Sequence, residues 1–535
     1  MPSLTLRVSS GLALEAGTQS VRDGIPTPER GIEGKWNGRP CPSLKHGQGR
    51  PFHLENAIHQ TLIFATGFVT LAEGPMRTLL VAWLFLLPLA TRGGTVPVGA
   101  AKVDVTPDFP VMLSGYSSRQ TEAAKSAGKI WVKALAIGSD EDGPSLVITA
   151  DTLGIPDSMG AEVAKRLKDR AGIAREKIAF SASHTHSAPV TNGCAPNIFG
   201  RDLTKFEQEH VDRYTKLLTD AMETAALEAL KNREPMSLAW GEGKVGFAIN
   251  RRLLKNASWT GFGEVPEGSV DHSLPMLRAV DETGKVRAIL VNYACHCTTL
   301  NPSANAVHGD WAGFAQAMME ADHPGTVALT MIGCGADANP KNRDLGQLKG
   351  GTAMDVAATH GRALADEVNR LLKTELKPLG DAPTATLVRV SLPFQKLPTR
   401  AELEGLKAKG NPHEKRNAAI QLAKYDRLGA LPEAVDYPIQ TWRFGNDLSI
   451  VFLAGEVVVD YALAIKKEFD PARIWIVAYA NDAPSYIPSE RILREGGYEA
   501  EGAMLYYAWP SRYKTGVEKI ILDAVRQQVP KVFRK

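Results

Sequence analysis

Short apolar runs alternate with longer segments of helical periodicity from residue 130 to residue 528. The apolar runs predict strands at Ile130–Ile137, Ser145–Ala150, Ile178–Ser183, Val286–Tyr293, Val327–Ile332, Thr386–Val390, Leu448–Leu453 and Ile474–Ala478. The periodic segments predict helices at Asp157–Ala171, Lys205–Lys231, Asp310–Glu320, Ala353–Lys373, Ala401–Lys409, Glu414–Leu428, Val457–Phe469 and Lys514–Gln528. Such alternation is typical of an α/β fold with a buried central sheet. Because some strand pairs have short connections, we expect one or more mixed central β-sheets flanked by helices.

The region that carries these elements reads as a single large domain, since no clear linker appears between Val96 and Lys535. Within it, residues 401–428 are polar and rich in charge, which predicts a helical surface insertion or lid. The chain has 535 residues, of which 44% are hydrophobic and 23% charged, and its net charge is +3. This is ordinary globular composition, and without clustered Lys and Arg it argues against a nucleic-acid partner.

The N-terminal part differs in character from the rest. Residues 1–75 are rich in Gly, Pro, Arg and Ser, whereas residues 76–92 begin with Met-Arg-Thr and continue as an apolar run, the pattern of a secretory signal peptide. We therefore expect residues 1–75 to be a wrongly assigned upstream extension and the domain 93–535 to be exported, to the periplasm, the cell surface or the medium. The alternative is a disordered arm followed by an internal membrane anchor. Export permits disulfides among Cys194, Cys295, Cys297 and Cys334, but these are too few for a disulfide scaffold.

The most informative motif is Ser-Ala-Ser-His-Thr-His-Ser-Ala-Pro at residues 181–189, directly after the predicted strand Ile178–Ser183. Side chains alternate along an extended backbone, so His184 and His186 are predicted to point to the same face. Neutral imidazoles are good zinc ligands. The alternative is a chance pair of surface histidines, because the spacing alone is a weak pattern. No acidic residue follows closely, so a carboxylate ligand must come from far along the chain.

Three further polar clusters follow strand-like runs, where the sites of α/β proteins usually form. His296 follows Val286–Tyr293, and Glu456 lies between Leu448–Leu453 and the next predicted helix. Tyrosines occur in the loops 481–488 and 496–499. Each also has an ordinary interpretation: a buried core histidine, an acid at a helix start, and tyrosines used for packing.

Taken in order, the motifs resemble the catalytic domain of the neutral/alkaline (non-lysosomal) ceramidase family from about residue 98 to residue 502. The features that carry the resemblance are Leu113-Ser114-Gly115-Tyr116, the His-Thr-His motif, Asn250-Arg251, His296, Gly309-Asp310 to Gly313, residues 334–340, Gly455-Glu456 and the last tyrosines. The resemblance implies a zinc ion held by His184, His296, Glu456 and Tyr486, and it places His186, Arg251 and Tyr498 at substrate-contacting positions. Two imidazoles, a carboxylate and a weak phenol ligand leave room for water, as a catalytic zinc requires.

The implied function is an exported zinc-dependent amidohydrolase that cleaves the amide bond of ceramide or a related N-acyl lipid by attack of zinc-bound water. His186 is then the candidate proton shuttle, Arg251 and Tyr498 are candidate hydrogen-bond donors, and contact with a membrane surface gives access to the lipid. Two departures limit the substrate assignment. Asn339 stands where the family has a serine, and an amide orients water or substrate but cannot act as an alkoxide nucleophile. Family members often carry a C-terminal β-sandwich domain, which we expect this protein to lack.

Two alternatives therefore stay open at the level of sequence. One is a zinc hydrolase of the same fold that acts on a different, non-sphingolipid amide or ester. The other is a non-catalytic exported binding protein that keeps the fold, which ligands that fail to converge would indicate.

Overall fold

The computed structural model describes residues 94–343 and 351–535, so the predicted segments 1–75 and 76–92 lie outside the described residues. The strands are β1 (Val96–Asp104), β2 (Trp131–Ile137), β3 (Ser145–Ala150), β4 (Ile178–Ala182), β5 (Glu234–Lys244), β6 (Ala248–Lys255), β7 (Ser258–Val265), β8 (Ser273–Val280), β9 (Val286–Tyr293), β10 (Val327–Ile332), β11 (Ala338–Pro340), β12 (Lys377–Leu379), β13 (Thr384–Pro393), β14 (Ala434–Phe444), β15 (Leu448–Leu453), β16 (Glu456–Val457), β17 (Ile474–Val477) and β18 (Tyr486–Ile487). The helices are α1 (Asp157–Ala171), α2 (Lys205–Lys231), α3 (Asp310–Asp322), α4 (Ala353–Leu371), α5 (Arg400–Lys409), α6 (Pro412–Leu428), α7 (Val459–Glu468), α8 (Glu490–Glu495) and α9 (Val517–Gln528).

The largest sheet is mixed, as the short connections predicted. Its strand order is β10-β9-β8-β5-β1-β2-β3-β4, and β12 also pairs with β5. Only the outer pairs β10–β9 and β3–β4 are parallel, while the pairs between them are antiparallel. The strands β1, β5 and β8 of its centre were not predicted. In β5 and β8, Gly, Pro or charged residues interrupt the apolar positions and weaken the strand pattern.

A second mixed sheet, β13-β14-β15-β17, packs face to face with the first. Their shared core contains Leu135, Trp240 and Leu290 from the first sheet and Trp442 and Trp475 from the second. Alternating inward positions of two sheets interdigitate in this way in sandwiches. The central sheet is thus covered by a second sheet on one face, a layer that sequence reasoning had not separated from the first.

Helices cover the outer faces of the two sheets. Helix α2 lies against β1 and β2, α3 against β10, and α9 against β13 and β14. The mixed α/β architecture with flanking helices is therefore confirmed. The predicted helical segment at 401–428 is present as α5 and α6, which share a small core of Leu403, Ala418, Leu422 and Leu431. None of the helices in the described part is long and apolar enough to cross a bilayer.

Two short sheets complete the fold and position the site. The sheet β11-β6-β7 carries the projecting β6–β7 hairpin, and β16 pairs with β18 in parallel. These small sheets lie beyond the ends of β4, β9 and β15, so the polar segments that follow those strands are brought to one place.

Candidate metal and catalytic site

Four side chains from distant parts of the chain meet around one point. The Oε2 atom of Glu456 lies 3.1 Å from Nε2 of His184 and 3.1 Å from Nε2 of His296. The hydroxyl oxygen of Tyr486 lies 3.2 Å from the same nitrogen of His296. Separations of this size are those of atoms that share one ion at about 2 Å. The four predicted ligands therefore converge.

The local structure explains how each side chain reaches this point. Strand β4 ends at Ala182, and His184 adopts a left-handed backbone with φ 55°. The predicted extended backbone at His184 is therefore wrong. The predicted proximity of His184 and His186 is nevertheless found, since their ring centroids lie 4.9 Å apart. Glu456 and Tyr486 are directly opposed in the β16–β18 pairing, which places their side chains together.

Backbone carbonyls fix the orientation of two imidazoles. Nδ1 of His184 donates to the carbonyl of Leu153 at 2.7 Å, and Nδ1 of His296 donates to the carbonyl of Gly335 at 2.9 Å. A carbonyl can only accept, so the proton of each neutral ring is on Nδ1 and the Nε2 lone pair is left facing Glu456. Two lone pairs directed at a carboxylate oxygen repel one another unless a cation lies between them. The donor set therefore fits a metal ion, in the tautomers that metal binding uses.

The charge states also suit a cation. Burial, with help from Arg251, lowers the pKa of His296 to about 4, so this ring is neutral at pH 7. Burial raises the pKa of Glu456, but the positive charge of His184 and His296 in their protonated forms outweighs burial and brings that pKa well below its usual range. A cation bound between these groups would attract the carboxylate in the same way. An anionic carboxylate beside neutral imidazole is the protonation pattern that a metal ion requires.

His186 is a fifth nitrogen donor near this point. Its Nε2 lies 3.2 Å from Nε2 of His184, and His184, His186 and His296 by themselves form a group compact enough to hold a metal. Two observations separate His186 from the others. Its Nδ1 has no hydrogen-bond partner among the described residues, so its tautomer is not fixed. Its ring lines the adjoining cavity. His184 and His296 are thus held by backbone carbonyls, whereas His186 is free to face the cavity.

Arg251 extends the charged site towards the cavity. Its guanidinium donates to the Tyr486 hydroxyl at 3.1 Å and to Glu499 at 2.9 Å. Glu499 is buried and also pairs with Arg252, so one carboxylate holds two guanidinium groups. The rings of Phe262 and Tyr498 lie 5.0 and 5.8 Å from the Arg251 guanidinium carbon. Arg251 is thus fixed at the cavity wall next to the metal ligands.

The two remaining predicted residues lie on the same wall. Asn339 is in β11, and its Oδ1 accepts hydrogen bonds from Arg251 at 3.4 Å and Thr298 at 3.3 Å. With its oxygen engaged, the amide can offer its NH2 group to a substrate. The ring of Tyr498 packs edge-on against Tyr486, with their centroids 5.2 Å apart. All eight predicted residues therefore lie around one site.

The site opens into a cavity of about 940 Å³. Its lining combines aromatic rings with polar groups and includes Tyr116, His186, Arg251, Phe262, Glu264, Asn301, Asn339, Arg343, Tyr486, Tyr498 and Tyr506. This volume suits a ligand of drug or lipid size, since ligand cavities usually measure about 300–1,000 Å³.

Sequence reasoning missed several residues that support the site. The hydroxyl of Tyr507 donates to Oε1 of Glu456, which leaves Oε2 for the histidines. The ring of Tyr479 packs on His184 with a centroid separation of 4.4 Å. Arg119 donates to the carbonyls of Ser114 and His186 and so fixes the loops around the motif. Tyr507 lies close to the tyrosine loops but has no motif of its own, so only its position in the fold reveals it.

The cysteines are not part of this chemistry. Cys194, Cys295, Cys297 and Cys334 are free and buried. Burial raises the pKa of Cys194 to about 12, which leaves its thiol protonated at neutral pH. The open question of disulfides is thus resolved against any bridge among these four residues.

Part of this chain is similar in sequence to one family of known proteins. Residues 97–339 match the family described as neutral/alkaline non-lysosomal ceramidase, N-terminal. This part of the chain is similar to these ceramidases. The neutral ceramidase of Pseudomonas aeruginosa is 26% identical over 255 residues, which cover 46% of this chain and 37% of that protein. The neutral ceramidase of Drosophila melanogaster is 23% identical over 247 residues, which cover 43% and 32%. The chain thus spans about a third of the length of the curated relatives it matches.

The fold is shared over a longer stretch than the sequence. The crystal structure of the Pseudomonas aeruginosa neutral ceramidase superposes with a TM-score of 0.62 at 18% identity and covers 82% of this chain and 75% of that one. The structure titled "Ceramidase complexed with C2" gives the same TM-score of 0.62 at 17% identity. The predicted resemblance to the ceramidases is therefore confirmed.

Proposed function

We propose that this protein is an exported zinc-dependent amidohydrolase that cleaves the amide bond of ceramide or a related N-acyl lipid. The observation that carries the proposal is the convergence of His184, His296 and Glu456 on one point beside a large cavity. Mixed nitrogen and oxygen donors of this kind suit zinc. When bound, zinc acts as a Lewis acid and lowers the pKa of its water towards ~7.

The polar residues of the wall then have distinct tasks. Arg251 is held by Glu499 with its guanidinium next to Tyr486, where it can donate to the carbonyl oxygen of the scissile amide or to a substrate hydroxyl. Tyr498 is a second donor on the same wall. Donors that are fixed before the reaction stabilise the negative charge that develops on the carbonyl oxygen.

His186 is the residue suited to move the proton. Its Nε2 faces the metal ligands, and its ring lines the cavity where the substrate binds. It accepts a proton from the attacking water at Nε2 and delivers one to the leaving amide nitrogen. The burial that lowers its pKa keeps the ring neutral and ready to accept. The products are a carboxylic acid and an amine.

We propose the ceramide substrate and the export on evidence other than the geometry of the four side chains. The relatives that the chain matches carry the name neutral ceramidase, and the cavity has the size and aromatic lining that a lipid amide needs. Export is proposed from the signal-peptide pattern of residues 76–92.

A second candidate function keeps the metal and changes the substrate. Glu264, Arg343 and Asn301 add charged and polar groups to the cavity lining, and Asn339 replaces the serine of the family. These features favour an N-acyl amine or ester with a polar head group. The non-catalytic alternative lacks such support, because the four predicted ligands converge.

The test is hydrolysis of ceramide by the purified full chain, with the release of fatty acid and sphingoid amine measured in parallel. The proposal predicts equal release of both, loss of activity on chelation, and recovery when zinc is added. His184→Ala should abolish the activity. His323→Ala, at a histidine that hydrogen-bonds Asn369 away from the site, is the matched control and should not. Cleavage of a short N-acyl amine without cleavage of ceramide would favour the second candidate.

A further inference from the structure

The β6–β7 hairpin exposes an unusual amount of apolar surface. Among the described residues, eight large apolar side chains are strongly exposed, and three of them lie between positions 253 and 262. Leu253 is 39% exposed, Leu254 46% and Phe262 49%. Single exposed apolar side chains are normal, whereas a cluster of them marks an interaction site.

The hairpin is closed by a tight turn, which sets where these side chains lie. Lys255 pairs with Ser258 across a two-residue turn of Asn256 and Ala257, both of which have positive φ. This is the geometry that matches the twist of a tight hairpin. Trp259 packs against Gly497, which ties the strand to the tyrosine loop of the site.

The apolar surface continues into the mouth of the cavity. Phe262 is exposed on the hairpin and also lines the cavity, where its ring contacts Tyr498 with a centroid separation of 5.1 Å. A ligand that leaves the surface in contact with Phe262 therefore arrives next to Arg251. Such continuity is what a substrate dissolved in a membrane requires, because it need not cross water.

The charges of the hairpin indicate which partner it fits. From Leu253 to Phe262 the sequence contains one charged residue, Lys255, and no acidic residue. The nearby Glu495 is neutralised by Arg252 and Arg491. Two leucines and a phenylalanine beside one lysine form a composition that suits a bilayer interface, where apolar side chains enter the acyl boundary and the lysine meets lipid phosphate.

We infer that the tip of the β6–β7 hairpin, with Leu253, Leu254 and Phe262, docks on the surface of a lipid bilayer and places the cavity mouth against it. This inference rests on the proposed function, since it assigns the route by which a lipid amide enters. It commits to a bilayer rather than to a second copy of the chain or another protein.

The test measures binding to vesicles apart from catalysis. Full-length protein carrying His184→Ala, which removes turnover, is sedimented with phosphatidylcholine vesicles and with vesicles that also contain phosphatidylserine. The double variant Leu253→Ser, Leu254→Ser should bind at least ~10-fold more weakly, because each leucine loses the free energy of burial in the lipid. Lys255→Ala should weaken binding to the anionic vesicles more than to the neutral ones.

The matched control is Leu406→Ser, Leu428→Ser, which removes two exposed leucines from α5 and α6. It should bind as the parent does. Equal binding of the hairpin variant and its parent, or no binding of the parent to either vesicle, would overturn the inference. So would a hairpin variant whose main effect is to turn a dimer into a monomer in light scattering.

A kinetic measurement separates this inference from the proposed function. In the active protein, the hairpin variant should keep the turnover of a soluble short-chain N-acyl amine and lose at least ~10-fold in the rate with ceramide in vesicles. If the parent protein hydrolyses neither substrate, the proposed function is refuted. The docking of the hairpin is then still tested by the vesicle-binding measurement, which does not depend on turnover.

Discussion

The hydrogen bond between Tyr507 and Glu456 offers a sharp test of the metal site. The Tyr507 hydroxyl donates to Oε1 of Glu456, and Oε2 is thereby turned towards His184 and His296. Tyr507→Phe removes this donor and keeps the ring. A hydrogen bond to a charged group contributes about 1.5–3 kcal/mol, which corresponds to a loss of ~10- to 100-fold in zinc affinity. Losses of the same size are typical when a partner that orients a ligand is removed.

The assay is a titration of the metal-free protein with zinc in competition with a chromophoric chelator. Tyr461→Phe is the matched control, because it also removes a buried hydroxyl, one that donates to the carbonyl of Pro488 at 3.0 Å and not to a candidate ligand. The control should keep the zinc affinity of the parent. An unchanged affinity in Tyr507→Phe would refute the assignment of Glu456 as a ligand held in place by Tyr507.

Three other predictions address proton transfer, pH and the charged wall. His186→Gln should keep stoichiometric zinc and lower kcat by about 10²–10⁴-fold, as measured by metal analysis and turnover; loss of the metal would make His186 a ligand instead. Burial raises the pKa of Asp482 from 3.8 to about 6, so its contribution to stability is present below about pH 4 and is lost as the pH rises through 6. Asp482→Asn should therefore reduce the fall in unfolding free energy between pH 4 and pH 7 by about 3 kcal/mol, as followed by urea denaturation; a fall equal to that of the parent would contradict this. Glu499→Gln should lower the free energy of unfolding by about 3–5 kcal/mol, because Arg251 and Arg252 then lose a buried counter-charge. A change below ~1 kcal/mol in the same denaturation experiment would contradict this, because it would mean that other groups balance the two guanidinium charges.

Much of the fold follows from periodicity along the chain. The predicted helices Asp157–Ala171 and Lys205–Lys231 and the predicted strands Val286–Tyr293 and Val327–Ile332 have the bounds found in the structure. The two helices bury one face, and the two strands are buried along most of their length, so both patterns are strong. The hairpin strand β7 was missed, because its residues are exposed or half-exposed throughout and include two glycines. The packing of one sheet on another leaves no trace in local periodicity, so it appears only in three dimensions.

The residues of the site also fall into those that the sequence predicted and those that only the structure reveals. The order of the motifs along the chain predicted which residues converge, although His184 and Glu456 are 272 positions apart. The spacing of His184 and His186 alone predicted a shared face for a reason that the positive φ of His184 contradicts. The carbonyls that orient the rings, and the hydroxyl of Tyr507, could not be predicted, because a main-chain group or a single hydroxyl has no sequence pattern.

We propose that one zinc ion is held by His184, His296, Glu456 and Tyr486. Anomalous diffraction at the zinc edge, from crystals of the full chain loaded with zinc, measures this directly. We expect one strong peak about 2.0–2.2 Å from Nε2 of His184, Nε2 of His296 and Oε2 of Glu456, next to the Tyr486 hydroxyl. A peak bound through His186 in place of Glu456, or no peak among these residues, would contradict it.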